Sequence, residues 1–171
     1  MLKATGHANV RVLDGGLDSW NGPMGTIPLK PTPTSQAIEP MPYVGLVSVD
    51  DVVSNLQSGK NLVLDARAND RFHGQNETLD PIGGHIPSAI NHFFKNNLSA
   101  TAFKTPEQLF KDFVELLGSK KPSEVIHQCG SGVTACHNLL AMEVAGLKGS
   151  RLYAGSWSEW CADPTRPIAT D

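Results

Sequence analysis

The sequence predicts an α/β fold, a central parallel sheet flanked by helices, on two observations. Short apolar runs of the kind that fill strands buried on both faces recur as NLVLD (61–65), EVIHQ (124–128) and RLY (151–153). Stretches with apolar residues at helical spacing alternate with them, and strands that alternate with helices wind into a parallel sheet. Sites in such sheets form at the carboxyl ends of strands, which draws attention to the segment after EVIHQ.

Taken in order, the chain opens with half of a repeat. Asn9–Trp20 (NVRVLDGGLDSW) matches Gly149–Trp160 (GSRLYAGSWSEW): an Arg, an apolar residue two positions before a Gly, and a Trp five positions after it recur. Each copy is expected to form a short buried strand, a Gly turn and a helix start, with Trp20, Trp157 and Trp160 as packing residues. The second copy closes a domain, so the first is expected to close one too. On this reading 1–22 is the remnant of a preceding domain, 23–42 a connector and 43–171 the one whole domain. The connector carries Pro23, Pro28, Pro31, Pro33, Pro40 and Pro42, which fix φ and remove donors.

Ser48 can cap a helix running to about Gln57, with Val49, Val52, Val53 and Leu56 on one face. Thr105, with Pro106 at the first helical position, opens a second helix to Leu117, along which Leu109, Phe110, Phe113, Val114 and Leu117 recur. A third is expected from Val133 to Ala145, ended by Gly146.

Composition narrows the function. Hydrophobic residues make up 40% and charged residues 18% of the 171, an ordinary globular balance. The formal net charge is −3 and the lysines are spread thinly, so no basic stripe exists to neutralise phosphates and no nucleic-acid partner is expected. No apolar run approaches the roughly 20 residues of a membrane helix, and MLKATGHANV lacks the apolar core of a signal peptide. A cytoplasmic protein without a membrane partner is expected. Cys129, Cys136 and Cys161 include no CxxC pair, which argues against a disulfide framework, and His92, His127 and His137 share no metal spacing. Neither a metal nor a cofactor is expected.

CGSGVTAC (129–136) follows a strand and opens a helix. Gly130 and Gly132 permit the φ values of a tight ring, in which the backbone N–H groups of Gly130, Ser131, Gly132, Val133 and Thr134 face one spot near the positive end of the helix dipole. That setting favours a reactive thiolate at Cys129 over an inert buried cysteine. Cys136 and Cys161 read as packing residues. A cysteine phosphatase needs an arginine at the sixth position after the cysteine, and that position holds Ala135. A sulfur carrier needs a six-residue loop whose backbone donors neutralise the outer sulfur of a persulfide, and CGSGVT meets that demand.

Together with DAR (65–67), RF (71–72), GHIPSAIN (84–91) and GSWSEW (155–160), this loop resembles the rhodanese, or sulfurtransferase, family in its tandem two-domain form. The similarity runs from about Val44 to Ile168, and residues 6–20 resemble the closing strand and helix of the family's first domain. The resemblance implies a rhodanese-like domain in which Cys129 accepts a sulfane sulfur, the loop from Gly130 to Thr134 supplies donors, and Arg71 holds an anionic donor; the alternative for Arg71 is a surface arginine paired to Glu77 or Asp80. Asp65 and Arg67 are expected to brace the site as an ion pair, and His85 to fix a turn. A CGSGV loop is similar to those of mercaptopyruvate sulfurtransferases, whereas thiosulfate-preferring members carry basic residues directly after the cysteine. The second arginine with which mercaptopyruvate enzymes hold the donor carboxylate has no match in HGQNETLDPIG (73–83), where Asp80 is the nearest counterpart. Both donors stay open.

The expected activity is transfer of a sulfane sulfur from thiosulfate or 3-mercaptopyruvate to a thiol or cyanide through a Cys129 persulfide. Its partners are a small-molecule donor and a thiol acceptor. The alternative is a truncated, catalytically weak fragment that binds a partner or itself through the face a first domain would cover.

Overall fold

The computed structural model describes residues 2, 6–7, 9–26, 28 and 44–171. Most of the Pro-rich connector, and Tyr43 where the main domain is expected to begin, lie outside these residues. The strands are β1 (Leu46–Val47), β2 (Leu62–Asp65), β3 (Ile90–Asn91), β4 (Leu98–Ser99), β5 (Ala102–Phe103), β6 (Val125–Gln128) and β7 (Arg151–Tyr153). Five of them form the parallel sheet that the alternation predicts, in the order β1-β7-β6-β2-β3, while β4 and β5 make a small antiparallel pair. The helices are α1 (Val49–Ser58), α2 (Asn69–Phe72), α3 (Pro106–Leu117), α4 (Ala135–Val144) and α5 (Ser156–Trp160).

Alternation of side chains along each strand sends neighbours to opposite faces. Val63 and Ile126 pack with Val52, Ile86, Tyr153, Trp157 and Trp160 on one face. Leu64 and Val125 pack with Leu109, Phe113 and Met142 on the other. Complete burial of one such Leu or Phe contributes about 1.5–3 kcal/mol. Helix starts follow the sequence closely where a cap is present. Ser48 Oγ accepts from Asp51 N–H while Asp51 accepts from Ser48 N–H, and Thr105 and Gln108 repeat the arrangement on α3.

Three expectations are corrected. The third helix begins at Ala135, not Val133, because Val133 and Thr134 still belong to the turn that closes the cysteine loop and no side chain caps the helix. On α3 the stripe facing the sheet is Leu109, Phe113 and Leu117; Phe110 and Val114 stand 49% and 43% exposed at its margin. The first copy of the repeat forms no strand: it holds one 3-10 turn, Leu17–Ser19, and its Trp20 is 47% exposed, whereas Trp157 and Trp160 are fully buried. The second copy gains ladder partners on both sides, from β6 and β1. With β1 occupying the outer side of β7, that edge is closed to the first copy.

The register aligns the strand ends. Asp65 pairs with both Gln128 and Asn91, and His127 with Leu152, so the loops after β2, β3, β6 and β7 emerge along one edge of the sheet.

Candidate active site

Cys129 is the first residue after β6, and backbone bonds on both sides hold it. Gln128 C=O accepts from Ala66 N–H at 2.9 Å, tying the strand end to β2. Cys129 N–H donates to Ser156 Oγ at 3.1 Å, and Cys129 C=O and Gly130 C=O accept from Trp157 N–H and Ser158 N–H at 3.0 and 2.9 Å. The cysteine loop is thus strapped to α5. Buried Ser156 takes a positive φ of 54°, an unfavourable choice for a serine, and donates Oγ–H to Tyr153 C=O at 2.9 Å. Sequence reasoning missed Ser156 and Ser158; the signal available was their place inside the repeated GSWSEW motif.

Within the loop, Gly132 has φ +79°, and a Cβ there would lie 2.5 Å from Ala154 O. Gly130, contrary to expectation, needs no positive φ. Its bare Cα leaves room for Arg71, whose Nη2 and Nη1 would stand 3.8 and 3.9 Å from a Cβ at that position. Among the described residues, no N–H from Gly130 to Ala135 donates to a protein acceptor. Six successive donors therefore remain available beside a cysteine that is free and packed against Ala66 and Ala135. Cys129 and the loop residues Gly130, Ser131, Val133 and Thr134 line a cleft of about 280 Å³ together with Arg71 and residues of the β2 and β3 loops. Gly132 and Asp65 do not line it.

Buried Arg67 is bound to Asp65 through Nε at 3.0 Å and Nη2 at 2.7 Å, and its Nη2 also donates to Gly84 C=O at 2.6 Å. Its guanidinium carbon sits 4.7 Å above the centre of the Trp157 ring. The pair joins the end of β2 to α5 and to the 73–84 segment. Arg71, on α2, extends into the cleft with its Nε and Nη2 on Glu77 at 3.0 and 2.8 Å and with Asp80 at 3.4 Å. Burial favours a neutral Arg71, but the hydrogen bonds and charge of Glu77 outweigh it and raise its pKa. Burial likewise works against the Glu77 carboxylate, yet Arg71 and the N–H groups of Leu79 and Asp80 hold it below the ordinary carboxylate range.

Of the remaining cysteines, Cys161 packs in the core beside Trp157 and Trp160, whereas Cys136 lies at the surface with Sγ–H on Gly132 C=O. Its position on the outer side of α4 overrides the packing role expected of it. His85 stacks on Phe72 at 3.7 Å and places Nδ1 2.9 Å from Phe72 O. Asn97 connects His92 and Asn138 at 2.9 and 2.7 Å, a buried link between the β3 loop and α4. Among the described residues no helix is long and apolar enough to cross a membrane.

Comparison with known proteins agrees with this architecture. The rhodanese-like domain family matches residues 48–163. A Pseudomonas aeruginosa protein named "Probable 3-mercaptopyruvate sulfurtransferase" is 42% identical over 168 residues, covering 94% of this chain and 58% of that protein. The thiosulfate sulfurtransferase of Rattus norvegicus is 34% identical over 168 residues, covering 94% of this chain and 56% of that one. The solved structure of 3-mercaptopyruvate sulfurtransferase from Leishmania major shares 26% identity at a TM-score of 0.60, over 75% of this chain and 38% of that chain. The chain spans a little over half the length of the curated relatives it matches. With the family pattern running from the cap of α1 past the end of α5 and so across nearly the whole parallel sheet, the chain belongs to the rhodanese-like domain family.

Proposed function

We propose that the cleft is a sulfurtransferase site that moves a sulfane sulfur from thiosulfate or 3-mercaptopyruvate to a thiol or cyanide through a persulfide on Cys129. The observation that carries this reading is the run of six N–H groups, Gly130 to Ala135, left without protein acceptors beside a free cysteine. Such a run stabilises a negatively charged sulfur that stands one bond beyond Sγ. Relatives named for both donors support sulfur transfer.

In the first half-reaction the Cys129 thiolate attacks the sulfur to be moved. With thiosulfate the S–S bond breaks and sulfite leaves with the electron pair. With 3-mercaptopyruvate the C–S bond breaks and the enolate of pyruvate leaves, then takes up a proton. The persulfide rests among the loop donors until an acceptor thiolate attacks its outer sulfur and returns Cys129 as thiolate, so one difficult transfer becomes two easier ones. Glu77 occupies the Nε and Nη2 positions of Arg71, which leaves Nη1, on the side facing Gly130, for the donor's anionic group. Asp65 and Arg67 keep the β2 loop in register with the cysteine loop.

We assign 43–171 to this catalytic domain, 1–22 to the end of a preceding one and 23–42 to the connector. The cytoplasm, where free thiols persist, is the compartment that suits the reaction. The test is intact-mass measurement after incubation with each donor: one added sulfur is expected, removable by reductant and absent from Cys129→Ser. Failure of both donors to load the protein, or loading that survives in Cys129→Ser, defeats the reading.

A further inference from the structure

Arg71 reaches the cleft between two carboxylates of unequal grip. Glu77 holds Nε and Nη2 at 3.0 and 2.8 Å, the bidentate geometry of a strong ion pair. Asp80 Oδ2 stands off at 3.4 Å from Nη2, beyond the roughly 2.7–2.9 Å that a charge-assisted N–H···O bond takes. The reason lies on the other oxygen. Ser158 Oγ–H donates to Asp80 Oδ1 at 2.6 Å, a short bond to a charged acceptor. Ser158 is itself anchored, because its N–H donates to Gly130 C=O at 2.9 Å. Among the described residues neither carboxylate oxygen of Asp80 has another hydrogen-bond partner.

A carboxylate next to a guanidinium closes onto it unless something restrains it. The consequence of closure is severe here, since Arg67 and Arg71 already face the three carboxylates of Asp65, Glu77 and Asp80. An anion is held at Arg71 only while Asp80 is kept off the edge beside Gly130. We infer that Ser158 is a positioning residue that tethers Asp80 away from Arg71 and so sets the affinity of the cleft for an anionic sulfur donor. This rests on the proposed sulfurtransferase site and assigns to it a determinant of donor binding on α5.

The test is the affinity of inorganic thiosulfate for the full chain carrying Cys129→Ser, measured by titration calorimetry, so that binding is read without turnover. Ser158→Ala is expected to weaken binding about tenfold to a hundredfold, the size of one hydrogen bond to a charged group. Ser158→Thr, which keeps the hydroxyl, is expected to restore it. Asp80→Ala is expected to tighten binding, and Ser158→Ala should then have no further effect. An unchanged dissociation constant in Ser158→Ala overturns the inference, and so does an equal loss in the Asp80→Ala background. So does a failure of every variant to bind thiosulfate. Sulfur loading of the chain with Cys129 intact separates the two readings: loading with Ser158-independent affinity removes only the tether, whereas Ser158-dependent binding without loading removes only sulfur transfer.

Discussion

His127 lies on β6 two residues before Cys129, fully buried, with neither ring nitrogen hydrogen-bonded among the described residues. Burial, reinforced by His92, pushes its pKa from the ordinary 6.5 down to about 3. The sign follows from proton counting. Between those values the unfolded chain binds a proton at this position and the folded chain does not, so stability is complete above 6.5 and falls as the pH drops towards 3, by up to about 1.4 kcal/mol per unit. His127→Leu is expected to flatten this limb by about 2 kcal/mol between about pH 7 and pH 5 in denaturant titrations, with no loss near pH 7, because it removes two unpaired polar atoms. An equally steep limb in the variant refutes the assignment. Arg67 presents the opposite case, a buried charge whose partner depends on it. Arg67→Met leaves Asp65 buried without its cation and is expected to cost about 3–5 kcal/mol by urea denaturation, part of it recovered by adding Asp65→Asn.

The loop between β6 and α4 concentrates the consequences of single glycines. Gly132→Ala places a Cβ against Ala154 O at a residue with φ +79°. A cost of about 1–3 kcal/mol is expected, together with at least about tenfold slower sulfur loading as the donors shift, a barrier change of about 1.4 kcal/mol. Gly130→Ala meets nothing closer than Arg71 at 3.8 Å, so its unfolding midpoint should stay close to that of the parent. Comparing midpoints and loading rates of the two variants checks this contrast. The same loop marks a limit of sequence reading at the scale of elements. Starts of α1 and α3 were legible because Ser48 with Asp51 and Thr105 with Gln108 write their capping boxes in adjacent residues. The start of α4 was not legible, since no side chain caps it and the loop that leads into it is held at Cys129 and Gly130 by bonds from Trp157 and Ser158, far away in sequence.

Across the whole molecule, residues 9–26 sit against the body through few bonds: Asp14 Oδ1 accepts from Phe103 N–H at 3.0 Å, and Ser19 meets Thr101 at 3.4 Å. A cavity of about 810 Å³ separates Val10, Val12 and Asp14 from Phe103, Leu139 and Leu140, and no residue of 9–26 joins a core cluster. Removing residues 1–26 is therefore expected to lower Tm by no more than about 4 °C and to retain a single cooperative transition, by calorimetry. A larger drop shows that the segment belongs to the folding unit. The parallel sheet, the cysteine loop at a strand end and the strand that carries Asp65 were set by the sequence alone, because strand runs, helical periodicity and caps are local patterns, whereas α2, the uncapped single turn that carries Arg71, was not among the expected helices. Only the tertiary structure decided that Gln128, Asp65 and Asn91 end in register, that Glu77 and Asp80 share Arg71, and that Ser156 and Ser158 strap the loop to α5. It also decided that two segments sharing the same Arg, Gly and Trp spacing part company. Strand formation needs partner strands on an open edge, and a repeated motif does not carry its neighbours with it.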